Sequence, residues 1–185
     1  MVEAVPSPAA GVAETHRLFF ALLPPAEVIA AIGEHRASVG LTRGFISDDR
    51  LHMTLAITDD HDTGPPPPLT TAALAAGAAV RSAPIHVLLD EAVGGAGTIV
   101  LRSHEKLDHL FALQRRLASS LSAAGVPMRR GWRFNPHVTI GYRRGAPFAA
   151  PILPISWRAQ DLVLIHSHVG LTRHDILARW PLVGT

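Results

Sequence analysis

Leu51-His52-Met53-Thr54-Leu55-Ala56-Ile57 and Pro136-His137-Val138-Thr139-Ile140-Gly141-Tyr142 are two copies of one pattern, His-x-Thr inside an apolar, β-prone run. Successive side chains of a strand point to opposite faces. The imidazole and hydroxyl of each copy therefore share one face, while Leu51, Met53 and Leu55, or Val138 and Ile140, face a core. One such strand offers a proton-transfer group beside a hydrogen-bonding hydroxyl. Two that face each other offer a matched acid and base around a single substrate atom.

The spacing alone is weak. With 11 His and 11 Thr in 185 residues, independent placement gives roughly 0.7 His-x-Thr matches. Three occur, and the third, His61-Asp62-Thr63, sits in a turn-like Asp/Gly/Pro stretch without apolar alternation. The other two are distinguished by what surrounds them. Each half of the chain runs strand (18–23; 98–102), helix (25–39; 104–124), glycine stop, loop, His-x-Thr strand and a further strand (85–90; 161–169). Gly40 lies twelve residues before His52, and Gly125 twelve before His137. This weak duplication sets the motifs on pseudo-symmetric strands across a central cleft.

In chain order, Arg17 to Leu23 reads as a buried strand and Pro24-Pro25 as the start of a helix, where proline is tolerated, with Gly40 as its stop. Four prolines, Pro65 to Pro68, form a stiff connector, and Thr70 or Thr71 is the expected cap of an Ala-rich helix to about Val80. Ile85 to Asp90 is a strand. Gly94-Gly95-Ala96-Gly97 is a hairpin turn into Thr98–Arg102, without the helix and Lys-Ser/Thr of a phosphate loop. Ser103 is the expected cap of the longest helix, with Leu107, Leu110, Phe111, Gln114, Leu117 and Leu121 at helical spacing. Gly145 to Pro154 reads as a loop, and 161–169 and 176–182 as a closing hairpin.

Composition narrows the classes. Cysteine is absent, which excludes disulfides, thiolate catalysis and cysteine-based zinc sites. No apolar run reaches the roughly 18 residues a membrane span requires, and the first fifteen residues lack the marks of a signal peptide. The expectation is a cytoplasmic protein with a flexible N-terminal tail (1–15), a single bilobal domain (16–185) and no obligatory protein partner. Net charge is only +2, and Lys106 is the sole lysine against sixteen arginines. That balance suits bidentate phosphate recognition but not a duplex-binding polycation.

Two histidines titrating near neutrality can divide an in-line displacement at phosphorus. One, neutral, takes a proton from the attacking water; the other, as imidazolium, protonates the departing sugar oxygen. Thr54 and Thr139 would hydrogen-bond the non-bridging oxygens, where charge builds. The scheme needs neither metal nor cofactor.

At these residues the chain resembles the two-histidine (2H) phosphoesterases, specifically the RNA 2′,3′-cyclic phosphodiesterases called 2′-5′ RNA ligases or LigT-like proteins. The resemblance rests on Arg17-Leu18-Phe19-Phe20-Ala21, Leu51-His52-Met53-Thr54-Leu55, Phe134-Asn135-Pro136-His137-Val138-Thr139-Ile140 and the closing Ile176-Leu177-Ala178-Arg179-Trp180-Pro181-Leu182. It implies a bilobal α+β fold, a pseudo-two-fold duplication with antiparallel sheets lining a central cleft and helices outside. It also implies metal-free hydrolysis of RNA 2′,3′-cyclic phosphate ends, or of a cyclic nucleotide, to a 2′-phosphomonoester, with weak reverse 2′-5′ ligation. By analogy His52 is the acid toward the leaving 3′ oxygen and His137 the water-activating base.

Two positions depart from the family pattern. An aromatic residue often stands five positions after the first histidine, where this chain has Ile57; an arginine often stands five after the second, where it has Tyr142 followed by Arg143. Phe19 or Phe20 could supply the stacking face for a base, and Arg143 or Arg133 the cation for phosphate.

Two other readings compete. His166-Ser167-His168 puts two imidazoles on one face of a strand, and His86 or His174 could complete a metal site, giving a metal-dependent hydrolase. A non-catalytic RNA-end binding module is the third.

Overall fold

The computed structural model describes residues 15–95 and 97–184. Eight strands and three helices follow in the order β1 (Thr15–Leu22), α1 (Ala26–Ser38), β2 (Met53–Ile57), α2 (Pro67–Ala79), β3 (Ile85–Gly95), β4 (Thr98–Arg102), α3 (Asp108–Ala123), β5 (Val138–Gly141), β6 (Phe148–Ala159), β7 (Asp161–Val169) and β8 (Arg173–Pro181). The expected tail, up to residue 14, lies outside the described residues; Thr15 already belongs to β1.

The strands form one sheet in the order β6-β3-β4-β5-β2-β1-β7-β8, every neighbouring pair antiparallel. The expected α+β duplication is present, with an exchange. Each four-stranded half keeps its own His-x-Thr hairpin, β1–β2 or β4–β5, and takes its next strand from the other half: β3 pairs with β4, and β7 with β1. Between the strands of the two halves the register pair is Met53↔Val138, and the segment before β2 adds a bridge from Phe45 to Gly141.

The duplication extends to an irregularity. Along β1–β2, Met53 faces Leu22, Thr54 faces Ala21 and Ala56 faces Phe20, so Leu55 is the extra residue of a bulge. Along β4–β5, Val138 faces Leu101, Thr139 faces Val100 and Gly141 faces Ile99, so Ile140 is the extra residue of a second one. An extra residue reverses the alternation beyond it. Ile57, which strict alternation from Met53 would send to the core, instead joins Phe19, Ala21, Val163 and Ile165 on the opposite face.

The helices cover the other face. Leu18, Phe20, Leu22, Met53, Leu55, Val138 and Ile140 pack there with Val28 and Ile32 of α1, Ala73 and Ala76 of α2, and Leu110, Leu113, Leu117 and Leu121 of α3. Those four leucines recur at helical spacing and are the stripe by which α3 docks. Trp180 lies between Phe20, 6.0 Å away in a stacked arrangement, and Gly77 of α2, where a Cβ would overlap the indole.

Three sequence expectations are corrected. α2 starts at Pro67 with Pro66 at its N-cap, so two of the four connector prolines belong to the helix and Thr70 lies within its first turns; the fixed φ of proline suits that position. α3 starts at Asp108, not after Ser103. Asp90 accepts hydrogen bonds from the backbone N–H of His104 (2.8 Å) and from its ring, which holds residues 103–106 in a separate turn. The expected loop 145–154 is mostly strand β6, whose Pro151 and Pro154 are accommodated because β6 is an edge strand. The β3–β6 register also shifts between Leu89 and Glu91, next to Pro151.

Candidate active site

Because Met53 and Val138 pair antiparallel, His52 falls across from Thr139 and His137 across from Thr54, which brings both motifs together on one face where the two halves join. Both rings are anchored alike. His52 Nδ1 is 2.6 Å from the carbonyl oxygen of Arg50, and His137 Nδ1 is 2.7 Å from that of Asn135. A carbonyl can only accept, so each Nδ1 carries the proton and donates it, which leaves each Nε2 as the free lone pair.

The surroundings of the two differ. His52 lies against Phe19, with ring centroids 4.7 Å apart, and His174 of β8 stands edge-on to both rings at 5.1 and 5.3 Å. Burial pushes His52 from the ordinary 6.5 down to about 4; the Arg50 carbonyl opposes this, and the charges of Arg50 and His137 add to it. His174 is also lowered to about 4, first by burial and then by His52 and Arg50. Both imidazoles are neutral at pH 7. His137 is more open to solvent.

The cavity beside His52 has a volume of about 390 Å³ and is lined by Arg17, Phe19, Ile46, Arg50, His52, Thr54, Ile57, Thr139, Tyr142, Ser167, His168, His174 and the β7–β8 turn; His137 lies outside this lining. Pockets of this size take small organic ligands. The sequence candidates divide cleanly. Thr54 and Thr139 both reach the wall. Phe19 faces the cleft and Phe20 the helices, yet Phe19 is only 3% exposed and is occupied with His52 and His174. It supports His52 and is not a free stacking surface. Arg133 and Arg143 are exposed and outside the cavity wall.

The cations at the wall are Arg17 and Arg50, neither of which motif spacing revealed. Arg17 is paired with Asp60 (2.8 Å), which also pairs with Arg129. Arg50 ends a short 3-10 turn, Asp48–Arg50, and its Nε is buried with no partner among the described residues. Tyr142, beyond the second bulge, lines the cavity and is 57% exposed. It, and neither Phe19 nor Phe20, is the accessible aromatic surface of the cleft. The alternative constellation is also revised. His166 and His168 are joined by His16 of β1, whereas His86 lies exposed on β3 with its carbonyl bonded by His109, and His174 belongs to the cleft.

A duplicated antiparallel α+β fold with one anchored histidine and one threonine from each half defines the two-histidine phosphoesterases. The chain belongs to the 2′-5′ RNA ligase superfamily, whose family model matches residues 24–175. It is similar to E. coli LigT complexed with 3′-AMP (25% identity, TM-score 0.70, covering 91% of this chain and 99% of that one). It is also similar to E. coli LigT complexed with phosphate (28% identity, TM-score 0.66, 92% and 99% covered). The fold is shared with TT0787 of Thermus thermophilus (24% identity, TM-score 0.71, 91% and 98% covered). No curated protein matches the chain in sequence. Among the described residues no helix is long and apolar enough to cross a membrane.

Proposed function

We propose that this phosphoesterase hydrolyses RNA 2′,3′-cyclic phosphate ends, without a metal, to 2′-phosphomonoesters. The observation that carries the proposal is the matched anchoring of His52 and His137, each held by the carbonyl two residues back with Nε2 left free. His137, on the solvent side, takes the proton of a water whose oxygen attacks phosphorus. The P–O3′ bond breaks, and His52, protonated in the substrate complex, gives its Nε2 proton to the 3′ oxygen. One water is consumed, and the products are a 2′-phosphate and a 3′-hydroxyl. The same displacement with the 5′-hydroxyl of a second RNA in water's place, the P–O3′ bond again breaking, would form 2′-5′ links at a low rate.

His52 is neutral at pH 7, so the acid role requires the substrate's own negative charge to raise its pKa. Thr54 and Thr139 donate their hydroxyl protons to the non-bridging oxygens, and Arg50, with its unpartnered Nε, meets the developing charge. Tyr142 supplies a stacking face for the terminal base. The similarity to LigT, solved with 3′-AMP and with phosphate, supports a nucleotide-ended ligand.

The experiment is hydrolysis of a 2′,3′-cyclic-phosphate-ended oligoribonucleotide in excess EDTA, with the product isomer read by phosphorus NMR. Turnover to the 2′-phosphate is expected. Tight binding without turnover would leave an RNA-end binding module, and turnover abolished by EDTA would require a metal-dependent hydrolase.

A further inference from the structure

Away from the histidine pair, β1 and β7 bring three more imidazoles together. His16 is the register partner of His168, and Leu18 that of His166. By alternation, His16 continues the row of Leu18 and Phe20, and His166 and His168 continue that of Leu164. Leu18, Phe20 and Leu164 pack under the helices; His168 also reaches the cleft wall. The cleft residues Arg17 and Ser167 point the other way. The ring centroids of His16, His166 and His168 are 4.3–5.1 Å apart. One nitrogen from each lies within 4.8 Å of the others, and His16 Nδ1 is 3.0 Å from His166 Nε2.

Packing three partly buried imidazoles together is costly if they are charged. Two nitrogens on one tetrahedral zinc at ~2.1 Å stand about 3.4 Å apart, close to the spacing found. A fourth residue completes the pattern. Asp175 of β8 accepts a 2.9 Å hydrogen bond from His168 Nε2 and is itself held by Arg173. A carboxylate on the far nitrogen fixes the tautomer of a metal-ligating histidine and raises its basicity.

We propose that His16, His166 and His168 form a binding site for a zinc-like divalent cation, with Asp175 as the carboxylate that orients His168. The site clamps β1 to β7; one of its ligands, His168, also lines the cleft, while the hydrolytic step is assigned to His52 and His137.

The test uses the full chain, stripped with chelator and titrated by calorimetry with Zn²⁺ alone, and with Co²⁺ for its tetrahedral visible spectrum. One equivalent is expected to bind to wild type, His52→Ala and His174→Ala. Binding is expected to be lost in His16→Ala and His166→Ala and weakened about 10–100-fold in Asp175→Asn, as for other outer-shell changes. Circular dichroism verifies that each variant folds, and turnover in EDTA does so for the His16, His166 and Asp175 variants; Asp175→Asn, which keeps its shape, carries the test if an alanine variant does not. No binding by wild type, unchanged binding by His16→Ala, His166→Ala and Asp175→Asn, or loss of binding in His52→Ala or His174→Ala would each overturn the proposal.

Discussion

Met53 of β2 and Val138 of β5 form the one register pair joining the two halves of the sheet, and the residue preceding each is a histidine. The active cleft is therefore built at the seam of the duplication. Any change that opens the seam should separate the two imidazoles before it unfolds either half.

Gly141 tests the second bulge. A Cβ there would come within 2.8 Å of Leu41 Cδ2, 3.1 Å of the Gly44 carbonyl oxygen and 3.3 Å of Phe45 Cα. Leu41 can turn aside, but the backbone of the 44–46 segment, bonded to β5 through Tyr142 N–H to the Gly44 oxygen, cannot easily do so. Gly141→Ala should cost about 1–3 kcal/mol, the usual cost of overpacking, by urea denaturation. It should also raise KM more than it lowers kcat, because Tyr142 is displaced while His137 and Thr139 are not. Ala56, at the equivalent place in β2, already carries a Cβ.

Tyr142 and its neighbour Arg143 separate the two candidates for substrate contact. Base stacking on an aromatic ring is worth about 1–3 kcal/mol, so Tyr142→Ala should raise KM for a nucleotide-ended substrate roughly 5–150-fold on that scale. Arg143→Ala should leave KM within about twofold, as expected of an exposed charge away from the wall. Steady-state kinetics on the two variants decide it.

How much of this site could be read from residues alone depended on range. The two His-x-Thr strands, the leucine stripe of α3 and the twelve-residue loops are local patterns, and each is found where the sequence indicates. Ile57 and Tyr142 were harder to place, because a bulge is a property of two paired strands and strict alternation assigns the wrong parity beyond it. Pro151 and Pro154 argue against a strand unless it lies at an edge, and the edge position of β6 is a property of the whole sheet. Arg50 and His16 carry no motif. Arg50 reaches the cleft only because a 3-10 turn precedes β2, and His16 meets His166 and His168 only when β1 pairs with β7, about 150 residues later in the chain.

Stability should fall in mild acid. Burial lowers His52 and His174 from 6.5 to about 4 in the folded chain. Between these values the unfolded chain binds more protons. The stability contributed by the two neutral rings is fully present above pH 6.5 and lost as pH falls toward 4. Melting temperatures between pH 7 and 4 should decline, and His174→Asn should flatten that decline. Added phosphate should oppose it, by favouring a protonated His52 in the fold.

The pH dependence of turnover tests the division of labour. If His52 is the acid, its proton is required, and the bound diester anion raises a pKa that burial holds at about 4 in the free protein. The basic limb of kcat, which reports the complex, should then lie at higher pH than that of kcat/KM, which reports the free enzyme. Coincident limbs, or a kcat/KM profile that only rises with pH through 4, would make His52 the base.

The most direct measurement of the central claim is single-turnover hydrolysis of a cyclic-phosphate-ended oligonucleotide in EDTA by wild type, His52→Ala, His137→Ala and the double variant. Loss of an acid–base group should slow each single variant by about 10²–10⁴. Groups that act as a unit are non-additive, so the double variant should be little slower than the slower single one. Near wild-type rates in either single variant would contradict the two-histidine account.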